Sequence, residues 1–181
     1  MLSNTGNQFS WQVSNWGSTI TDAGIGTAVT ASASTNTKGT AVTLIAAASV
    51  TEDVYGMSIM FSGGFTAITV YRHLTDILID PAGGTSWSTA IPNLLCEGPT
   101  LIQGGYAYYF PIYLKSGTTI GAQTQCNAAS HALRTCVQLY GKPSRPDLVR
   151  CGTRVEAIGV TTSSSSGTAI TPGNGAVGAW T

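Results

Sequence analysis

Residues Thr119–Tyr140 read TIGAQTQCNAASHALRTCVQLY. In the first eight, Ile120, Ala122, Thr124 and Cys126 fall on one side of an extended chain, and Gln123 and Gln125 fall on the other. A polar break follows at Asn127–Ser130. Ala132–Tyr140 then alternates again, with Leu133, Val137 and Leu139 inward and Arg134, Cys136 and Gln138 outward. A period of two, repeated across a short turn, specifies half-buried β-strands.

The same period extends along the rest of the chain. Thr40–Ala47 (TAVTLIAA), Tyr55–Phe61 (YGMSIMF) and Phe65–Tyr71 (FTAITVY) read as strands, with Gly63-Gly64 suggesting a hairpin or bulge between the last two. Asp76–Asp80 (DILID) is a short apolar strand that stops at the Pro81-Ala82-Gly83-Gly84 turn. Thr89–Leu95 contains Pro92, which restricts it to a sheet edge or a loop. Tyr106–Leu114 (YAYYFPIYL) is an aromatic strand broken at Pro111, and Val149–Ala157 alternates once more. No segment shows a 3.6-residue apolar period. About eight short strands with Gly/Pro turns between them indicate an all-β antiparallel β-sandwich, and the strand spacing suits a jelly roll. The expected organisation is an N-terminal arm over 1–25, the sandwich over 26–142, and a connector and C-terminal arm over 143–181.

One pentapeptide recurs. GTAVT occupies Gly26–Thr30 and Gly39–Thr43, and GTAIT occupies Gly167–Thr171. The third copy reads either as the start of a second β domain or as a strand lent to a neighbouring subunit, because a lone β element cannot bury its own apolar face.

Composition narrows the class of function. A chain of 181 residues buries roughly 70% of its unfolded surface. Charged residues make up 9%, against about 25% in ordinary soluble domains. Eight Lys and Arg balance eight Asp and Glu, so no basic stripe is available for nucleic acid. No apolar run reaches the roughly 18 residues of a membrane span, and the N-terminus carries no secretory signal pattern. So little charge suits a subunit packed into a larger particle.

The search for chemistry is negative. No nucleophile elbow, zinc-protease helix, P-loop or dinucleotide fingerprint is present. Cys96, Cys126, Cys136 and Cys151 show no CxxC spacing and no nearby paired His, so neither a metal nor a cofactor is expected. Strand parity places Cys126 inward and Cys136 outward, which counts against a bridge between them and favours Cys136 for an intermolecular contact. His73 lies three residues before Asp76, where a contact between them is open and a structural role is preferred to a catalytic one; His131 is expected in solvent beside a turn. Asp76 and Asp80 share a strand face and could flank a sugar bond or hold calcium, but solvation of the strand ends is the preferred reading. Tyr106, Tyr108 and Phe110 form a row that suits a core or a carbohydrate platform, and core is preferred. No catalytic activity is expected.

Tyr109–Tyr140 resembles the closing strands of jelly-roll virion proteins of tailed bacteriophages. The matching pieces are the apolar-Pro-apolar strand Phe110-Pro111-Ile112-Tyr113-Leu114, the turn Ser116-Gly117-Thr118 and a long β-hairpin of alternating small residues, Ile120–Tyr140. Asp76–Pro92 and Gly141–Gly159 look like the preceding strand–turn–strand and the following connector. The resemblance implies a structural protein of the virion. Its expected role is capsid decoration or cementing, by packing and strand exchange between subunits. The alternatives are a neck, collar or tail accessory protein, or a glycan-binding module of a fibre. The implied partners are further copies of itself, as a homo-oligomer such as a trimer, and the major capsid or other virion proteins. Candidate inter-subunit contacts are Trp11, Trp16, Cys136, Cys151, Ile170 and Trp180.

Overall fold

A computed structural model describes residues 9–15, 26–62, 71–98, 106–143 and 150–168. Among these residues nine strands form two antiparallel sheets. They are β1 (Gln12–Ser14), β2 (Thr27–Thr30), β3 (Val42–Ile45), β4 (Gly56–Ser62), β5 (Tyr71–Asp80), β6 (Ser88–Gly98), β7 (Tyr106–Phe110), β8 (Thr119–Cys126) and β9 (Ala132–Tyr140). A small hairpin, β10 (Val160–Thr161) with β11 (Ser166–Gly167), follows.

The first sheet runs β1–β9–β4–β7, with β2 joining β1 on the same edge of β9; the second runs β3–β8–β5–β6. The pairings β2–β9, β3–β8, β4–β7 and β5–β6 describe one long antiparallel ribbon. The pairings β4–β9 and β5–β8 arise when that ribbon folds over on itself. This connectivity is the jelly roll.

At one corner the ribbon passes from the first sheet to the second without losing its hydrogen bonds. Ala31 N–H donates to the His131 carbonyl, Ser130 N–H to Ser32, Asn36 N–H to Cys126 and Gly39 N–H to Thr124. β8 and β9 therefore lie in different sheets and do not pair as the expected hairpin. They face each other across the core, which buries the same alternate residues that a hairpin would. β4 and β5 are likewise split between the sheets; the expected strand over 65–71 and its Gly63-Gly64 turn lie, but for Tyr71, outside the described residues.

The core lies between the sheets. Ile59, Phe61, Ile77, Ile91, Ile120, Leu133, Val137 and Leu139 are each at most 1% exposed. Side chains of this kind contribute about 1.5–3 kcal/mol each on full burial. Leu133, Val137 and Leu139 of β9 face inward as expected, but Gln125 of β8 and Cys136 of β9, both expected outward, are buried as well. β5 runs back to Tyr71, well before the expected start at Asp76. β6 is an edge strand, as Pro92 required. Beside that proline, Asn93 takes φ +51, and its N–H leaves the ladder for the Asp76 carboxylate. The turn after β5 is organised by Asp80, whose two oxygens accept from the Ala82 and Ser86 amides.

The described parts of both arms dock on their own chain. β1 pairs with β9, Trp11 packs half-buried against the core cluster, and Phe9 sits 4.7 Å from the Tyr140 ring. The β10–β11 hairpin lies against the second sheet, where the Gln125 amide donates to the Thr162 carbonyl and Ser165 Oγ.

Candidate functional site

β5, β8 and the corner converge on one polar cluster. Ladder register sets Cys96 of β6, His73 of β5 and Cys126 of β8 in one row across three strands. His73 and Cys126 are fully buried and face the core. The corner that follows Cys126 turns through Ser130, at φ +54, and brings His131 back over them, half-buried. His73 Nε2 meets His131 Nδ1 at 2.9 Å, and the ligand atoms of His73, Cys126 and His131 all lie within 4.8 Å of one another. Tyr71 stacks on the His131 ring at 3.8 Å between centroids.

Hydrogen bonds orient the donors. His73 Nδ1 lies 3.3 Å from Thr124 Oγ1, which is itself 2.8 Å from Thr75 Oγ1. The Leu74 and Gln125 carbonyls, each 3.3 Å away, are acceptors for the Thr124 hydroxyl, so its lone pairs are free to accept the Nδ1–H of His73. That tautomer leaves a lone pair on Nε2, aimed at His131. The Ala128 amide donates to Cys126 Sγ at 3.4 Å. Burial pushes His73 down to about 3, with the neighbouring His131 adding to the shift, and burial also lowers His131. Both rings are neutral at pH 7. Burial raises the Cys126 thiol, and it pushes Cys96 up to about 12.

This grouping departs from the sequence expectations. His73 pairs with His131 rather than Asp76, and His131 sits in the cluster rather than in solvent. Linear spacing hid the group, since His73 lies 53 positions before Cys126. The usable signal is the short spacing Cys126–His131, which matters only once the second sheet brings β5 beside β8.

Among the described residues, Glu52, Asp53, Asp76 and Asp80 are taken up by internal partners. Asp76 Oδ1 receives Lys38 Nζ at 2.7 Å and the Asn93 amide at 2.8 Å, and Oδ2 receives Gln123 Nε2 at 2.8 Å. Lys38 also donates to the Leu74 carbonyl and Asn93 Oδ1. Glu52 accepts from Ser10 Oγ. Asp53 accepts from the Ser116 amide and the Tyr113 hydroxyl, which hold its carboxyl below the usual range in that order of strength. Asp76 and Asp80 thus do not solvate the strand ends: both are buried, and they tie backbone and side chains together within and beside β5. An open groove of about 400 Å³ lined by Thr30, Ser32, Lys38 and Thr40 offers one charged residue, Lys38, and its ammonium is engaged by Asp76.

Among the expected inter-subunit contacts, Trp11 packs on its own domain. Cys136 has outward parity yet is 2% exposed, and burial pushes its thiol up to about 12. Cys151 is half-buried, and its thiol donates to the Tyr55 carbonyl. Trp16, Ile170 and Trp180 lie outside the described residues. All four cysteines are free thiols. In the aromatic row, Tyr108 and Phe110 pack against the core cluster, as preferred. Tyr106, Tyr109 and Tyr113 remain exposed at 42%, 52% and 38%. Trp87 lies half-buried over Gly121.

No protein-family model matches this chain, and no curated protein matches it.

Proposed function

We propose that this chain is a structural subunit of a virion, acting through packing against copies of itself and other shell proteins. The observation that carries the reading is the ribbon connectivity of the two sheets in a chain with only 9% charged residues. Jelly rolls of this connectivity recur in capsid proteins, and also in lectins and cupins, so the inference from fold is one of analogy. Low charge separates the choices, because a weakly charged surface is tolerated best when most of it is covered by neighbours. β7 supports the same reading: among the described residues it ends its sheet, with an exposed Tyr106-Ala107 start and an exposed Tyr109. An open edge is a template for strand addition, and each tyrosine covered there would add up to about 1.5–3 kcal/mol. Capsid decoration or cementing is the role this arrangement serves, with a neck, collar or tail position as the variant.

Light scattering on the purified full chain tests the association. A closed homo-oligomer is expected, and Ala107→Lys with Tyr109→Lys should shift it toward monomer. A strict monomer across the soluble range would overturn the self-assembly reading. At the level of the particle, density for this subunit on the shell is expected, and its absence from purified particles would overturn the virion assignment.

The exposure of Tyr106, Tyr109 and Tyr113 favours one second reading, a glycan-binding module. Its test is a broad glycan array. Binding lost in Tyr109→Ala would support it, and silence across the array would dismiss it.

A further inference from the structure

We propose that His73, Cys126 and His131 form a binding site for one divalent cation of the zinc class, set into the corner where the folded ribbon crosses from one sheet to the other. The proposal stands on geometry and donor chemistry, and it is independent of the assembly reading.

The donor set is two imidazole nitrogens and one sulfur, which suits zinc and its softer neighbours and excludes calcium and magnesium. A tetrahedral zinc ion with Zn–N near 2.0 Å and Zn–S near 2.3 Å needs its nitrogens about 3.3 Å apart and its sulfur about 3.6 Å from each. The two nitrogens stand at 2.9 Å, and all three donors lie within 4.8 Å. Side-chain adjustments of roughly an ångström or less would reach the required spacing.

The surroundings orient the donors as a site requires. Thr124 holds His73 Nδ1, directing the Nε2 lone pair into the cluster. The Ala128 amide points at Cys126 Sγ, the contact that stabilises a ligating thiolate. A hydrogen-bonded histidine pair alone would account for the two rings, but it needs nothing from Cys126. Cys126 is therefore the residue on which the proposal turns. Binding forms two N–metal bonds and one S–metal bond. The Cys126 thiol proton passes to solvent, and the His131 ring proton moves from Nδ1 to Nε2, so one proton is released per ion. Three protein ligands leave the fourth position to water or to a group from outside, on the half-exposed His131 side.

Cobalt(II) is the probe, titrated into the reduced full chain. The expected result is a near-ultraviolet thiolate-to-cobalt band with visible tetrahedral d–d bands, saturating at one equivalent and bleached by zinc. Cys126→Ser should abolish the charge-transfer band, while Cys151→Ser should keep it. Thr124→Val, which removes the partner of His73 Nδ1, should weaken affinity about 10–100-fold. His131 lies in a half-exposed turn, so His131→Gln serves if the buried variants fail to fold; a loss of more than about tenfold is expected. Absence of the band in the unaltered protein, an undiminished band in Cys126→Ser, or full cobalt affinity in His131→Gln would each overturn the proposal.

Discussion

Backbone contacts fix the glycine in two of the three copies of the recurring pentapeptide. A Cβ at Gly39 would stand 2.0 Å from the Thr30 carbonyl oxygen, and one at Gly26, which has φ +98, would stand 2.5 Å from that of Thr135. Both contacts are with backbone, which cannot step aside. At Gly167 the nearest atoms are 3.8 Å away. Gly39→Ala should therefore cost about 3 kcal/mol or more, while Gly167→Ala should stay within about 0.5 kcal/mol, measured by urea unfolding. The likeness of the three copies is one of sequence only. β2 lies on the β9 edge, the second copy leads into β3, and the third begins at the end of the β10–β11 hairpin. Lys38 and Asp76 support a second prediction. Asp76→Ala strands a largely buried ammonium and should cost about 3 kcal/mol, and Lys38→Met in the same background should recover most of it in a double-mutant cycle.

The strands show what the sequence could and could not disclose. Alternation at Leu133, Val137 and Leu139 sets which face of β9 is buried, and Pro92 correctly restricts β6 to an edge. Neither signal says which strand lies alongside. The alternation of β8 and β9 is satisfied equally by a hairpin and by two strands facing across a core. The difference lies in the corner hydrogen bonds from Ala31, Asn36 and Gly39, which join segments some 90 residues apart in the chain. The start of β5 was obscured because Arg72 and His73 interrupt its apolar run, yet His73 is fully buried. The His73–Cys126–His131 cluster was illegible for the same reason, since it depends on strand order. At the N-terminal strand, Trp11→Ala should remove half-buried packing and lower stability by about 1–2 kcal/mol, with the β-sheet circular dichroism unchanged.

Over the whole molecule, the four thiols are unpaired and shielded to different degrees. Cys96, Cys126 and Cys136 are buried and Cys151 is half-buried. Burial raises all four thiols, leaving little thiolate to react. Native-state alkylation followed by mass spectrometry should modify Cys151 first and the other three only on unfolding; early labelling of Cys136 would contradict its buried placement. The position of β9 has a consequence for how the protein comes into being. Its edges are filled by β1 and β2 on one side and β4 on the other, all made long before it. While a chain is being synthesised, the first sheet stays without its central member until residues 132–140 emerge. Such distant pairings make for slow folding, in the millisecond-to-second range of β-sandwiches. Until then β1 and β2 lack their partner and β4 has one open edge, exposed to other nascent copies, so the yield of soluble protein should depend on synthesis rate and temperature more than on the stability of the finished fold.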